Sequence, residues 1–167
     1  MDKSESWKMF DTISPRYDFL NRILSLGQDI RWRRQLPLYL PPGEDLIVLD
    51  LATGTADVAI TLAQSGPRVR TVHGVDMAEK MLAIGSRKVE AAQLKDRIIL
   101  QKGDAQALPF VENTFDAAAI AFGIRNVGDL RLGLMEMYRV LKKGGRVLVL
   151  EFSIPDNIFL RAGHRVY

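Results

Sequence analysis

From Glu44 onward, short apolar runs alternate with stretches whose apolar positions recur with helical spacing. That alternation predicts repeated βα units wound around a parallel sheet. Five strands are expected, at Leu46–Leu51, Val69–Val75, Arg97–Lys102, Ala117–Ala121 and Arg146–Glu151. Each is short, apolar and bounded by Gly, Asp or Pro, as strands buried on both faces should be. Helices are expected between them at Asp57–Gln64, Ala78–Glu90 and Asp129–Leu141. In the last of these, Leu130, Leu134, Met137 and Leu141 fall on one apolar face. Its ends are marked as well. Asp129 can accept hydrogen bonds from the first turn, Lys142 and Lys143 suit the negative C-terminal end, and Gly144-Gly145 is expected to stop the helix.

Ahead of the sheet, Ser4 to Leu40 is rich in aromatic and arginine residues and closes on Pro37, Pro41, Pro42 and Gly43. Short amphipathic helices followed by a linker are expected there. The whole reads as one domain in three stretches: an N-terminal helical segment (1–43), a ligand-binding α/β core (44–155) and a short C-terminal segment (156–167). Composition narrows the class without changing this outline. A chain of 167 residues, 47% hydrophobic and 26% charged, can bury one sizeable core. With no cysteine, disulfides and thiolate chemistry are excluded and a reducing, cytoplasmic setting is favoured. The net charge of +3 comes from scattered arginines (Arg31, Arg33, Arg34, Arg161, Arg165) and not from a basic run, so no nucleic-acid partner is expected. The start of the chain carries no apolar signal region and no stretch approaches the roughly 18 apolar residues of a membrane span. The protein is therefore expected to be neither exported nor membrane-spanning.

Candidate chemistry clusters after the strands. Asp50 ends the first strand, and Ala52-Thr53-Gly54-Thr55-Ala56-Asp57 makes a small-residue turn into a helix, where Gly54 lets backbone approach a ligand. Asp76 ends the second strand, where a carboxylate can take both hydroxyls of a ribose, and Met77 follows it. After the third strand come Gly103-Asp104-Ala105 and Leu108-Pro109-Phe110, an acid for an exocyclic amine among apolar side chains. A dinucleotide-binding dehydrogenase is the rival reading, but its G-x-G-x-x-G turn is reduced here to Gly54, and no Walker-type phosphate loop occurs. The turn suits a cofactor with a sulfonium and an amino-acid tail. Of the two histidines, His73 lies within a strand and is expected to be packed, while His164 lies in the tail. No metal cluster, serine triad or paired-carboxylate spacing stands out.

Three longer stretches carry a family likeness. They are Phe10-Asp11-Thr12-Ile13-Ser14-Pro15-Arg16-Tyr17-Asp18-Phe19-Leu20-Asn21, continuing through Ser25-Leu26-Gly27 to Arg31-Trp32-Arg33-Arg34; Ala121-Phe122-Gly123-Ile124-Arg125-Asn126-Val127; and Tyr138 to Gly145 with Leu150 to Pro155. In these the chain resembles the ubiquinone/menaquinone-biosynthesis C-methyltransferases, S-adenosylmethionine-dependent enzymes that methylate the ring of a polyprenylated quinol. The resemblance implies a class I methyltransferase (Rossmann-like) fold, a doubly wound and mostly parallel sheet. It implies that Asp50, Gly54, Thr55, Asp76, Met77, Asp104 and Ala105 contact S-adenosylmethionine, with Ala121 lining the site through its backbone. Arg125 and Asn126 would face the reacting ring, and Tyr17, Asp18 and Asn21 the substrate. Two departures stand out. The family usually has Gly-Gly-Thr-Gly-Asp where Thr53-Gly54-Thr55-Ala56-Asp57 stands, and Pro in place of Lys143. Family members also run some tens of residues further and place an antiparallel strand pair beside the fifth strand. A truncated form lacking those strands, or another element over that edge, is the expectation.

The implied acceptor is demethylmenaquinol, a 2-polyprenyl-6-methoxy-benzoquinol, or both. The alternatives are another phenolic or sterol-like acceptor, and a non-catalytic S-adenosylmethionine-binding module. Trp7, Phe10, Tyr17, Phe19, Leu20, Ile23, Leu24 and Trp32 can form a lid over an apolar substrate or simply pack on the sheet. Arg31, Arg33 and Arg34 beside Trp32 leave room for a weak peripheral contact with an anionic membrane face, and the sequence is compatible with a homodimer.

Overall fold

The computed structural model describes residues 6–14, 22–23 and 25–152. Five parallel strands, β1 (Leu46–Leu51), β2 (Val69–Asp76), β3 (Ile98–Lys102), β4 (Phe115–Ala121) and β5 (Leu141–Leu150), form one sheet in the order β3-β2-β1-β4-β5. The chain winds outward from β1 to β3, then crosses back to place β4 on the other side of β1. Strand order thus reverses between β1 and β4, and the crevice beyond their carboxyl ends is where such sheets bind ligands.

Among the described residues, α1 (Ser6–Ile13) and α2 (Gln28–Arg33) precede the sheet, and α3 (Asp57–Gln64), α4 (Glu79–Ala91) and α5 (Leu130–Val140) connect its strands. The central strands are buried on both faces. Val48, Val72, Ala117 and Ala119 point to one buried cluster with α3, whereas Leu49, Val75, Phe115 and Ile120 point to another with α5. This two-sided burial is why the strands read as near-continuous apolar runs and not as alternation.

Two local expectations are corrected. On α5, Leu130 and Leu134 are exposed, at 48% and 41%, while Gly133, Met137 and Val140 are buried. The helix is rotated because it touches its neighbours at Gly133, where a Cβ would lie 3.0 Å from Val127 Cγ1. Asp129 does cap it, accepting from Leu132 N at 3.1 Å. The second correction concerns β5, which starts at Leu141 and not at Arg146. Its register with β4 jumps from Phe115↔Leu141 to Ala117↔Arg146, so Gly144-Gly145 serves a bulge within the strand, with Gly144 at φ 83. Lys142 accordingly pairs with Asp116, not with the helix end, at 2.9 Å.

Candidate active site

One cavity opens at the strand-order reversal, and all four neighbouring strand ends contribute to it. Its wall comprises Leu51, Ala52 and Gly54 after β1; Val75, Asp76, Met77 and Met81 around the end of β2; Gly103 to Gln106 after β3; Ala121, Phe122 and Gly123 after β4; then Asn126, Val127 and Gly128, with Phe10 from α1. The empty space is about 810 Å³, mouth included.

Backbone geometry builds the side formed by β1 to β3. Thr53 N donates to Val75 O at 3.0 Å, tying the glycine turn to β2. The Asp76 carboxylate accepts from Gly54 N at 2.8 Å and from Ala78 N at 2.9 Å, so both its oxygens are aimed before any ligand arrives. Burial raises the Asp76 carboxyl above its usual range, and those two amides pull it back. Gly54 takes φ 56, with Met81 Cε 3.3 Å from where a Cβ would stand. This cradle, with a preset carboxylate and Asp104 opposite, fits a nucleoside with a short polar tail.

The sequence-predicted residues divide cleanly by position. Gly54, Asp76, Met77, Asp104, Ala105, Ala121 and Asn126 are brought together on the cavity wall. Asp50 and Thr55 are buried beneath it, at 1% and 3% exposure. Asp50 accepts the Thr53 hydroxyl at 2.5 Å. Burial pushes its carboxyl up to about 7, against the pull of that hydroxyl and the Ala59 amide. Its place is under the turn that carries Gly54. Ala56 adopts φ 67 and heads α3, so the turn takes a glycine-like conformation there without a glycine.

Arg125 stands at the rim of the cavity and not on its wall. It lies in a short 3-10 turn, Ile124–Asn126, with its side chain half exposed, paired to Glu151 and set 5.7 Å over the Phe152 ring. Phe152 stacks on Phe122 at 4.7 Å, and Trp32 packs against both rings, at 6.2 Å from Phe122 and 5.8 Å from Phe152. Phe122 itself sits at φ 56, a conformation a bulky residue holds only when its surroundings impose it.

The N-terminal segment reaches this site in two places. Phe10 lies on the wall, and Asp11 accepts from Lys80 N at 2.9 Å in the first turn of α4. Arg33, grouped in the sequence with Arg31 and Arg34 as a surface cluster, is instead buried. It pairs with Asp29, reaches Asp57 at 3.4 Å and stands 5.6 Å over the Phe122 ring. A membrane-facing role for Arg33 is therefore withdrawn, because its charge is already satisfied in the interior. Lys88 closes the network on Asp57 and donates to Thr55 Oγ1 at 3.1 Å. Ile23 is exposed, whereas the side chains of Trp7, Tyr17, Asp18, Phe19, Leu20, Asn21 and Leu24, and all of His164, lie outside the described residues. His73 is packed edge-on against Phe110 and Phe115, at 5.6 and 5.4 Å, and burial lowers its pKa.

Met81 and Gln106 carry no local signal in the sequence, and Asp11 and Glu151 stand there only within longer stretches, with no role attached. Nothing local marks Glu151 as the partner of Arg125, since only the pairing of β4 with β5 brings them together. Among the described residues no group of metal-ligating side chains gathers, and no helix is long and apolar enough to cross a membrane.

Solved structures with this architecture include S-adenosylmethionine-dependent methyltransferases. A SAM-dependent methyltransferase of Thermotoga maritima superposes with a TM-score of 0.69 at 25% identity, over 96% of this chain and 67% of that one. With the match to a methyltransferase family, this architecture makes the protein a class I S-adenosylmethionine-dependent methyltransferase, with S-adenosylmethionine as its cofactor. The chain belongs to the ubiE/COQ5 methyltransferase family, whose model matches residues 1–167. It is 47% identical over 163 residues to the ubiquinone/menaquinone biosynthesis C-methyltransferase UbiE of Geotalea daltonii, covering 96% of this chain and 68% of the relative. Against the demethylmenaquinone methyltransferase of Thermus thermophilus it is 49% identical over 162 residues, covering 95% and 71%. The chain thus spans about two thirds of the length of these curated relatives.

Proposed function

We propose that the protein transfers a methyl group from S-adenosylmethionine to a ring carbon of a polyprenylated quinol, demethylmenaquinol or a 2-polyprenyl-6-methoxy-benzoquinol, in menaquinone or ubiquinone biosynthesis. The observation that carries this is the cavity in which the Asp76–Asp104 side meets the Asn126 turn, in a chain whose relatives bear those names. S-adenosylmethionine supplies a methyl group made electrophilic by its sulfonium. The residues of the chain bind, align and keep the site dry. Asp76 takes the ribose hydroxyls, Asp104 and Ala105 the adenine, and Gly54 and Met77 shape the wall, with Ala121 opposite. Asp50 and Thr55 act from below by fixing the turn.

A quinol carbon becomes nucleophilic as its neighbouring hydroxyl loses its proton. The Arg125 guanidinium stabilises the phenolate that develops, and Asn126 holds the hydroxyl or the water that carries the proton away. The N-terminal segment 1–43 serves as a lid, with Phe10 on the apolar wall; Tyr17, Asp18 and Asn21 are assigned to the acceptor by family likeness alone. Arg31 and Arg34 give the protein a salt-sensitive attraction to the anionic bilayer in which such an acceptor dwells.

The test is methyl transfer from labelled S-adenosylmethionine by the purified protein. The acceptors are both reduced quinols, an unrelated phenol and a sterol-like compound. Label on a quinol ring carbon is expected. Transfer only to the other acceptors would overturn the substrate assignment, and cofactor binding without transfer to any acceptor would leave a binding module.

A further inference from the structure

Gln106 stands where the two sides of the cavity meet. Its side-chain Nε2 donates to the Asp104 carboxylate, at 3.2 and 3.4 Å from the two oxygens, while its Oε1 accepts from Asp129 N at 2.8 Å. These bonds are mutually consistent, because only the amide oxygen can accept from an N–H and only the nitrogen can donate to a carboxylate. Gln106 N also donates to Asp104 Oδ1, at 2.9 Å. Asp129 in turn caps α5 directly after the turn that carries Arg125 and Asn126.

A second contact brings the same loops together. At Gly133 of α5 a Cβ would lie 3.0 Å from Val127 Cγ1 and 3.9 Å from Ala105 O. Val127 and Ala105 both line the cavity, one from each side. The far end of the Asp104 loop is clamped to the same helix: Glu136 accepts from Leu108 N at 2.7 Å, and Arg139 donates to Phe110 O at 2.7 Å and to Leu108 O at 3.1 Å. Loop 103–110 is therefore fastened to α5, and the link nearest the cavity is the Gln106 side chain.

We propose that Gln106 is a positioning residue that ties the cofactor loop carrying Asp104 to the Arg125–Asn126 turn, and so holds the donor and acceptor subsites at one spacing. The inference rests on the assignment of Asp104 to the cofactor made above. Spacing is the quantity at stake, since misplacing reacting groups by about 1 Å costs on the order of 10²-fold in rate.

The Asp104 side of the Gln106 bridge can be removed with the Asp129 side kept, and then both sides together. Gln106→Glu keeps an oxygen for Asp129 N but sets a carboxylate against Asp104. It is expected to raise the KM for S-adenosylmethionine and the Kd for S-adenosylhomocysteine about 10-fold, with kcat falling less than about 3-fold. Gln106→Met removes both bonds. It is expected to weaken S-adenosylhomocysteine by a similar factor and also to lower kcat about 10-fold at saturating cofactor. Both variants should melt close to wild type, because the bridge lies at the cavity and not in either core. Wild-type values in both variants, or losses of kcat and affinity that simply follow a fall in Tm, would overturn the positioning role. A wild-type protein that binds no S-adenosylhomocysteine would overturn instead the assignment of the cavity on which it rests.

Discussion

Asp76 lies on the cavity wall and Arg125 at the rim beside Asn126, and the molecule holds them by different means. Asp76 is gripped by two backbone amides within a turn and strand end that are fixed by the sheet. Arg125 projects from a short 3-10 turn, half exposed, and is held by a side-chain pair with Glu151 and by the Phe152 ring. A site for an invariant cofactor can be built rigidly from local backbone. The Arg125 side takes its order from distant segments: Arg33 and Trp32 brace Phe122, and Phe122 braces Phe152.

The largest expected effect tests that bracing. Replacing Arg33 by Met leaves Asp29 buried without its cation, and breaking such a pair costs about 3–5 kcal/mol. Denaturant unfolding should show this loss, while the equivalent change at the exposed Arg34 should do almost nothing. A shift below about 1 kcal/mol would mean that the N-terminal segment is not anchored through this charge.

Next in size is a pH effect beneath the glycine turn. The folded-state pKa of Asp50 is raised to about 7 from an ordinary 3.8, so the folded protein holds a proton that the unfolded chain gives up. Stability is then highest below pH 4 as far as this group is concerned, falls as pH rises from about 4 to 7, and levels off above. The total is on the order of 4 kcal/mol. Asp50→Asn cannot ionise, so its unfolding free energy should lack that fall. Parallel pH profiles for the two proteins would show that Asp50 is not protonated in the fold.

On the acceptor side, Arg125→Ala should lower kcat by about 10²- to 10³-fold with cofactor affinity nearly unchanged, the size of losing one preorganised donor to a developing charge. Lysine should rescue only part of it, lacking the planar fork. Unchanged kcat would return Arg125 to the role of a rim salt bridge. The smallest effect belongs to the donor side: Asp76→Ala should weaken S-adenosylhomocysteine by about 1–3 kcal/mol and leave kcat at saturating cofactor near wild type.

The same contrast governs what could be read from the sequence. β1 and α3 fall where the apolar pattern puts them, because local spacing determines both strand burial and helix start. Asp76, Asp104 and Gly54 were legible since strand ends in a doubly wound sheet converge by topology. Three features were not. The inward face of α5 depends on how closely Gly133 lets it approach Val127, the bulge at Gly144 looks like a helix stop, and the burial of Arg33 depends on Asp57, which is distant in sequence. Each of these is decided by tertiary contact, which residue spacing does not encode.

Calorimetric titration of the purified protein with S-adenosylhomocysteine and, separately, with NAD tests the donor side most directly. Saturable binding of S-adenosylhomocysteine, weakened in Asp76→Ala, with no heat from NAD, is the expected result. Binding of NAD alone, or S-adenosylhomocysteine binding indifferent to Asp76, would contradict the assignment of this cavity to the methyl donor.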